Sequence, residues 1–489
     1  MSGIVSRQFG VQRMGRRLRA AVGALAVSLA VAGTAVPQVA SAESLADAMA
    51  SAYEHNGLIA QNRAVLRAAD EDVAQAVAAL RPIVAWSADL TRSSYKSSAY
   101  SSTFRRYVTG WSNSTDVTLS IAVSLLLYDF GATKLNIDIA KESVLATRQA
   151  LVAAEQSVLL RAASAYLEVK RASEFVSLGE ANVRVIGVEL RAARDRFEVG
   201  EVTRTDVSIA EASLAASRAG LVANQGTLEQ AVEEFRAAVG RKPGRIDALP
   251  PLPRLPKTLD QAKAIALRNH PDMLQLQHNV TVTELGILAT QAAMKPTVSL
   301  SGSLTRSEDF GNPGFTSGGS IGVELSGPIY AGGQLASLKR KAIAQRDQTR
   351  ALLHQTQAAV SQAVGNAWAQ MQSARASRRA SEEQVRASQT AFRGVREEAT
   401  LGARTTLDVL NAEQDLLSAR SNLVSSIIDE QAAAYRLLSA MGQLTADKLN
   451  LRVPRYDPAA YYNMVKDAPA LYSKQGQKLD RVLKKLGKE

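Results

Sequence analysis

From Ile83 the chain alternates with a period of two. Val84, Trp86, Ala88 and Leu90 stand against Ala85, Ser87, Asp89 and Thr91. A second run sets Val117, Leu119, Ile121, Val123 and Leu125 against Asp116, Thr118, Ser120, Ala122 and Ser124. The pattern returns far downstream, with Val298, Leu300 and Leu304 against Ser299, Ser301, Ser303 and Thr305. There Ile321, Val323 and Leu325 face off against Ser320, Gly322, Glu324 and Ser326. Each run predicts a strand, long enough for the ~9–11 residues of a tilted transmembrane strand. A soluble sandwich would show the same alternation. Here the second face is small and hydroxylic, which suits a water-filled lumen. The segment between the first two strands, with Tyr95, Tyr100, Phe104, Tyr107 and Trp111, reads as an aromatic-rich loop at a membrane interface.

Elsewhere the period is helical. Ala60 to Ala79 holds no Gly or Pro and is closed by Pro82. After each pair of strands comes a long Pro-free stretch with apolar residues seven apart. The first, from about Thr133 to Phe197, carries Ala162, Val169, Val176, Val183, Leu190 and Phe197, and a second stripe of Val144, Leu151, Val158 and Ala165. Such heptads predict coiled-coil packing, and about 65 residues make a helix near 100 Å. The equivalent stretch, Gln334 to Glu398, keeps Val364, Met371, Val385 and Phe392 but places Arg378 in the stripe, which predicts looser packing there. Each long helix ends in a short turn, and a return helix runs to Gly240 or Gly442.

The two halves are one plan written twice. Ser44-Leu45-Ala46-Asp47-Ala48 aligns with Thr258-Leu259-Asp260-Gln261-Ala262, and Leu90-Thr91-Arg92-Ser93 with Leu304-Thr305-Arg306-Ser307. After a contraction inside the strand pair, Gly131 aligns with Gly333, Asp206-Val207 with Asp408-Val409, and Gly240 with Gly442. The expected division is a first repeat at 43–242, with a β-hairpin at about 83–127 and a helical hairpin at 132–240. A Pro-rich linker follows at 243–257. The second repeat, 258–445, has its β-hairpin at about 296–327 and its helical hairpin at 333–442. The fold class is mainly α with a small transmembrane β part.

The ends and the composition add a compartment. Arg7, Arg13, Arg16, Arg17 and Arg19 precede an apolar run from Ala20 to Val36 and the small-x-small site Ala40-Ser41-Ala42, so 1–42 reads as a signal peptide. A retained helix is the competing reading. A run of about 17 residues that ends in a cleavage site argues against it. No Cys is present, which excludes disulfides, thiolate chemistry and a lipid anchor on cysteine. The net charge of +12 would suit nucleic acid, but five charges lie in the signal and another +5 in the segment from Leu451 to Glu489. The body between is nearly neutral with both signs interspersed, so no nucleic-acid partner is expected. Residues 446–489 read as a basic, partly disordered tail.

The duplicated plan resembles the TolC family of outer membrane efflux channels over about Ser44 to Thr445. The resemblance is carried by Gly327-Pro328-Ile329-Tyr330-Ala331-Gly332-Gly333 and by the two turns. These read Val199-Gly200-Glu201-Val202-Thr203-Arg204-Thr205-Asp206-Val207 and Leu401-Gly402-Ala403-Arg404-Thr405-Thr406-Leu407-Asp408-Val409. It implies a homotrimer whose four strands per subunit form one twelve-stranded barrel, continued across the periplasm by an α-helical barrel, with the tail periplasmic. It implies as partners outer membrane lipid, a periplasmic adaptor protein and an inner membrane transporter. It also implies efflux of small molecules or type I protein secretion as the activity. A trimeric coiled-coil surface protein anchored by a β-barrel is the alternative.

No enzymatic constellation is legible. His55, His270, His278 and His354 are scattered, there is no metal-spaced pair or phosphate loop, and no cofactor is expected. Thr203 with Asp206, and Thr405 with Asp408, fit helix capping boxes, which account for their residue types without a gate. The resemblance adds that Arg404 occupies the position of a basic latch residue, bonding at the closed periplasmic mouth to the Thr205-Asp206 side of the other tip. Asp408 matches the first position of an acidic ring at the entrance. Two family positions differ here: Asn411 replaces the second acid of the ring, and Ala399 the latch tyrosine.

Overall fold

A computed structural model describes residues 43–246, 248–311, 314–470 and 472–487; the expected signal peptide lies outside them. Helices α1 (Leu45–His55) and α2 (Gly57–Ala78) lead into strands β1 (Ile83–Ser101) and β2 (Arg106–Tyr128). The long helix α3 (Ala132–Glu198) and its return α4 (Arg204–Val239) follow. The second half repeats the order as α5 (Leu259–Asn269), α6 (Pro271–Ala292), β3 (Thr297–Asp309), β4 (Phe315–Ser326), α7 (Gln334–Thr400) and α8 (Thr406–Ala440). Two further helices, α9 (Pro458–Val465) and α10 (Lys474–Gly487), complete the chain.

The long helices α3 and α7 have 67 residues each, about 100 Å at 1.5 Å per residue. Along α3 lie α2 and α4, and along α7 lie α6 and α8, while α3 also touches α6 and α8. The main core sits where the shorter helices meet end to end. There Val158, Ala162, Tyr166 and Val169 of α3 pack on Leu45 and Met49 of α1, Phe235 of α4, Val364 of α7 and Leu437 of α8. The heptad stripe fades toward the turn, where Phe197 is exposed. Arg378 does not loosen its stripe. Its guanidinium bonds Glu382 at 3.0 Å and the buried Glu430 at 2.8 Å, so an ionic bridge replaces the apolar contact.

The sheet order is β1-β2-β3-β4, all antiparallel. Its register aligns like with like. Trp86, Ile121, Leu304 and Gly319 lie in one row, and Val84, Val123, Gly302 and Ile321 in the next on the same face. The opposite face carries Ser87, Ser120, Thr305 and Gly318, then Ala85, Ala122, Ser303 and Ser320. Hydroxyl pairs confirm the facing, with Thr118 to Ser307 at 3.1 Å and Ser303 to Ser320 at 2.9 Å. Four strands thus present one continuous apolar surface and one continuous hydroxylic surface.

Two expectations are corrected. Tyr95, Tyr100, Tyr107 and Trp111 are not loop residues: the β1–β2 ladder continues to Ser101 opposite Arg106, and only Phe104 lies in the turn. Cross-strand contacts extend the pairing, with Tyr100 edge-on to Tyr107 at 5.5 Å and Thr109 bonded to Ser98 at 3.0 Å. The tail is also more ordered than expected. Tyr461, Val465 and Leu479 close over Ala74 of α2, and the Tyr461 hydroxyl donates to Glu71 at 2.6 Å. Arg81 donates to the carbonyls of Asp467 and Ala468. The linker is likewise tied down, since Gln431 donates to the Pro250 carbonyl at 2.7 Å and Leu252 and Leu255 pack on the core.

Beneath this tail Asp70 is fully buried, with neither carboxylate oxygen hydrogen-bonded. Burial pushes it up from 3.8 to about 6, against the pull of Arg148 and with a further push from Glu71. Tyr456 and Tyr461 of the tail also feel its charge. A raised carboxylate favours the fold below its unfolded pKa, and that contribution is lost as pH rises through about 6. The full shift corresponds to about 3 kcal/mol at most. Asp70→Asn is therefore expected to raise the melting temperature at pH 8 and leave it unchanged at pH 4. A pH-independent effect in thermal melts would show that Asp70 is not the titrating group.

Candidate functional site: the helical tips and the two-faced sheet

The tips are built locally and twice. At the first, α3 is stopped by Gly200 at φ +81, a left-handed conformation that glycine adopts without strain, and the Glu201 N–H reaches back to the Arg196 carbonyl at 2.9 Å. Thr203 then caps α4. Its hydroxyl accepts from the Asp206 N–H at 3.3 Å and donates to the Asp206 carboxylate at 2.6 Å, which also accepts the Thr203 N–H at 2.9 Å. The second tip repeats this with Gly402 at φ +79, Ala403 N–H to the Glu398 carbonyl at 2.9 Å, and Thr405 with Asp408. Both turns follow from Gly at the helix stop and Thr-x-x-Asp at the next start.

These bonds set the charges. The Thr203 hydroxyl and then its N–H hold Asp206 below its ordinary 3.8, and the Thr405 N–H and hydroxyl do the same for Asp408. The capping contribution is present above 3.8 and is lost only as pH falls through the lowered values. Arg404 is exposed and donates through Nε to Glu398 at 2.9 Å, across its own turn. Glu398 raises the guanidinium's proton affinity, with a lesser contribution from Asp408. Among the described residues Arg404 makes no hydrogen bond or ion pair with Thr205 or Asp206. Thus the single subunit brings Arg404 near Asp408 and does not bring it to the other tip. Thr205 is exposed beside its cap, Asn411 is exposed on α8, and Ala399 is buried near the end of α7.

Just behind the tips lies chemistry that the sequence reading did not single out. Ile186, Leu190 and Ala193 of α3 join Ala210 of α4 and Leu410 of α8 in a small apolar cluster. Beside it two carboxylates are buried, Glu189 and Glu413. Glu189 stands 3.3 Å from Arg396 of α7. Burial raises Glu413, Arg420 and Arg396 pull it down, and Glu189 pushes it up. Glu211 stands five residues after Asp206 as Glu413 stands five after Asp408, so the duplication itself was the available signal. In the first half Glu211 is exposed and pairs with Arg194 at 2.6 Å, so the same position serves two environments.

At the other end of the helices, the apolar face of the sheet is open. Ile121 is 49% exposed, Leu304 64% and Val323 66%. No helix of the described residues is long and apolar enough to cross a membrane. The outward face of the sheet is the surface suited to lipid, and the hydroxylic face to water. Among the described residues no group of His, Cys, Asp and Glu could hold a metal ion. His278 instead bonds Glu142 at 2.8 Å, linking α6 to α3.

The family profile described as outer membrane efflux protein matches residues 48–241 and 264–443. The outer membrane efflux protein BepC of Brucella suis is 34% identical over 446 residues, 91% of this chain and 95% of BepC. The alkaline protease secretion protein AprF of Pseudomonas aeruginosa is 27% identical over 307 residues, 60% of this chain and 63% of AprF. Among solved structures, the CmeC outer membrane channel of Campylobacter jejuni shares the fold. Its TM-score is 0.70 at 15% identity, over 87% of this chain and 90% of CmeC. With the duplicated helical hairpins and the two-faced sheet, these likenesses establish that the chain belongs to the outer membrane efflux protein family, as a non-enzymatic transport duct of the outer membrane that extends into the periplasm.

Proposed function

We propose that three copies of the chain close their sheets into one twelve-stranded barrel, and that their helices continue it as a periplasmic tube. This tube is the exit duct for an inner membrane transporter and its periplasmic adaptor. One observation carries the reading: a four-stranded sheet with lipid-suited and water-suited faces leaves the outer edges of β1 and β4 unpaired. Unpaired backbone groups in hydrocarbon cost several kcal/mol each, so the sheet is completed by other copies of itself. Bilayer physics requires closure, and the family resemblance supplies three subunits. BepC is named for efflux and AprF for protease secretion, which supports small molecules or a secreted polypeptide as cargo.

In this duct the tips form the periplasmic mouth. Arg404 reaches the Thr205-Asp206 side of a neighbouring tip when the mouth is closed, and Asp408 contributes to an acidic ring at the entrance. The absence of Cys makes closure of the barrel directly testable. Ser87→Cys on β1, combined with Thr316→Cys or Ser320→Cys on β4, places thiols on the lumen face of both free edges. Mild oxidation is expected to yield disulfide-linked trimers in at least one combination and none in the single variants. Monomers throughout a scan of β4 positions, in protein recovered from the outer membrane, would refute closure through these edges.

A further inference from the structure

The two hairpins differ in height. β3 and β4 have 13 and 12 residues, whereas β1 and β2 have 19 and 23. The β2–β3 pairing ends at Asp116 opposite Asp309, and beyond it β1 and β2 pair only with each other, from Ser93 opposite Ser114 to Ser101 opposite Arg106. This overhang points away from the helices, and therefore out of the cell, for about 30 Å at ~3.3 Å per residue.

Its composition differs from the rest of the sheet. From Arg92 to Thr115 the chain holds four basic residues, Arg92, Lys96, Arg105 and Arg106, and no acid. It also holds exposed rings, with Tyr95 at 65%, Tyr107 at 73% and Trp111 at 68%. The register places Arg92, Lys96 and Tyr100 of β1, with Trp111 and Tyr107 of β2, on the face that carries Leu90 and Ile121 lower down. Lys96 lies 5.9 Å from the Trp111 ring centre. This face thus passes outward, without turning, from aliphatic side chains to Arg92, then to the Lys96–Trp111 pair and the Tyr100–Tyr107 pair, with small polar rows between them. On β3 the same face carries Arg306, opposite Leu119 and below the level of Arg92; it lies 4.6 Å from the Phe315 ring and is paired with Glu308 at 2.5 Å.

We propose that the outer face of this overhang binds the phosphorylated, sugar-bearing lipid of the membrane's outer leaflet. Arg92, just above the apolar band, is placed for phosphates at the hydrocarbon border, where charge-assisted bonds to guanidinium are strongest. Lys96, and Arg105 in the turn, extend the positive path among further anionic groups, while Arg106 opens β2 on the opposite face. Flat rings beside them offer faces for the C–H surfaces of sugars, so cations and rings on one ladder fit a ligand that is both anionic and glycosidic. The proposal rests on the outer membrane location and is independent of the trimer, the cargo and the gate.

The test uses the full-length chain, extracted in a non-ionic detergent and incubated with lipopolysaccharide carrying its core sugars. The comparison ligands are the same material dephosphorylated, the same lipid without core sugars, and phosphatidylglycerol vesicles. Lipid retained through gel filtration and an equilibrium titration are the readouts. Wild-type protein is expected to prefer the phosphorylated glycolipid by about tenfold over the dephosphorylated form. Changing Arg92, Lys96 and Arg105 together to Ser should abolish that preference, and changing the two arginines to Lys should keep most of it. Trp111→Leu should weaken binding to the core-bearing form more than to the lipid without core sugars. Equal binding of phosphorylated and dephosphorylated forms by wild type would overturn the proposal, even if the Ser variant failed to assemble. Equal affinity for phosphatidylglycerol would also overturn it, as general anionic-lipid binding. So would an overhang that self-associates in the absence of glycolipid and is not dispersed by it.

Discussion

Ile121→Arg is expected to lower outer membrane insertion by about 2–4 kcal/mol, the cost of an arginine near the bilayer midplane of a barrel. The position follows from the register. Ile121 lies between Trp86 and Leu304, with the Val84–Val123 row toward the helices and the Leu90–Val117 row toward the outside. Leu119 is one row farther out and opposite Arg306, a charge the chain already accommodates on that face. Leu119→Arg should therefore cost much less, about 0–1 kcal/mol as at an interface. Ser120→Arg points to the hydroxylic face beside Ser87 and Thr305 and should assemble almost normally. Folding titrations into vesicles, with recovery in the outer membrane fraction, measure all three. Equal losses for Ile121→Arg and Ser120→Arg would contradict the assignment of faces.

What was legible in the chain is what local pattern encodes. Period two places a side chain's face without knowing its partner, so Ile121 and Ser120 could be assigned from sequence. The register that ranks Ile121 above Leu119 needed β3. The overhang was missed because Tyr95, Tyr100 and Trp111 alternate with Ser, Thr and Gly rather than with a clean apolar set. Its strands are held by cross-strand pairs, which single-chain periodicity does not display. The tail was missed for a related reason. Tyr461, Val465 and Leu479 are too sparse to signal a core, and they acquire one only against Ala74, almost four hundred residues earlier. Capping boxes at Thr203 and Thr405 were readable because both partners lie within four residues. Glu189, Arg396 and Glu413 were not, since three helices must meet before two buried carboxylates share an arginine.

Arg404→Ser is expected to raise single-channel conductance in planar bilayers well above wild type, and to admit large antibiotics to cells lacking a transporter partner. The reasoning starts from the bond seen within one subunit. Arg404 is held by Glu398 across its own turn, while Asp206 is engaged by Thr203. A latch between neighbouring tips in the proposed trimer therefore requires Arg404 to leave Glu398 or to bridge both carboxylates, which a five-donor guanidinium can do. Glu398 then competes with the latch. Glu398→Gln should leave conductance at or below wild type, because it frees Arg404 for the neighbouring tip. If the Arg404–Glu398 pair only braces the turn, the two variants should behave alike. Asp206→Asn should open the mouth as Arg404→Ser does, but more weakly if the amide keeps capping Thr203. Combining them should add little, since both remove one bond. Arg404 belongs to neither capping box, so its loss leaves both helix starts intact, and circular dichroism should show unchanged helix content. Wild-type conductance in Arg404→Ser, with assembly intact, would remove Arg404 from the mouth and leave the tips as capped turns.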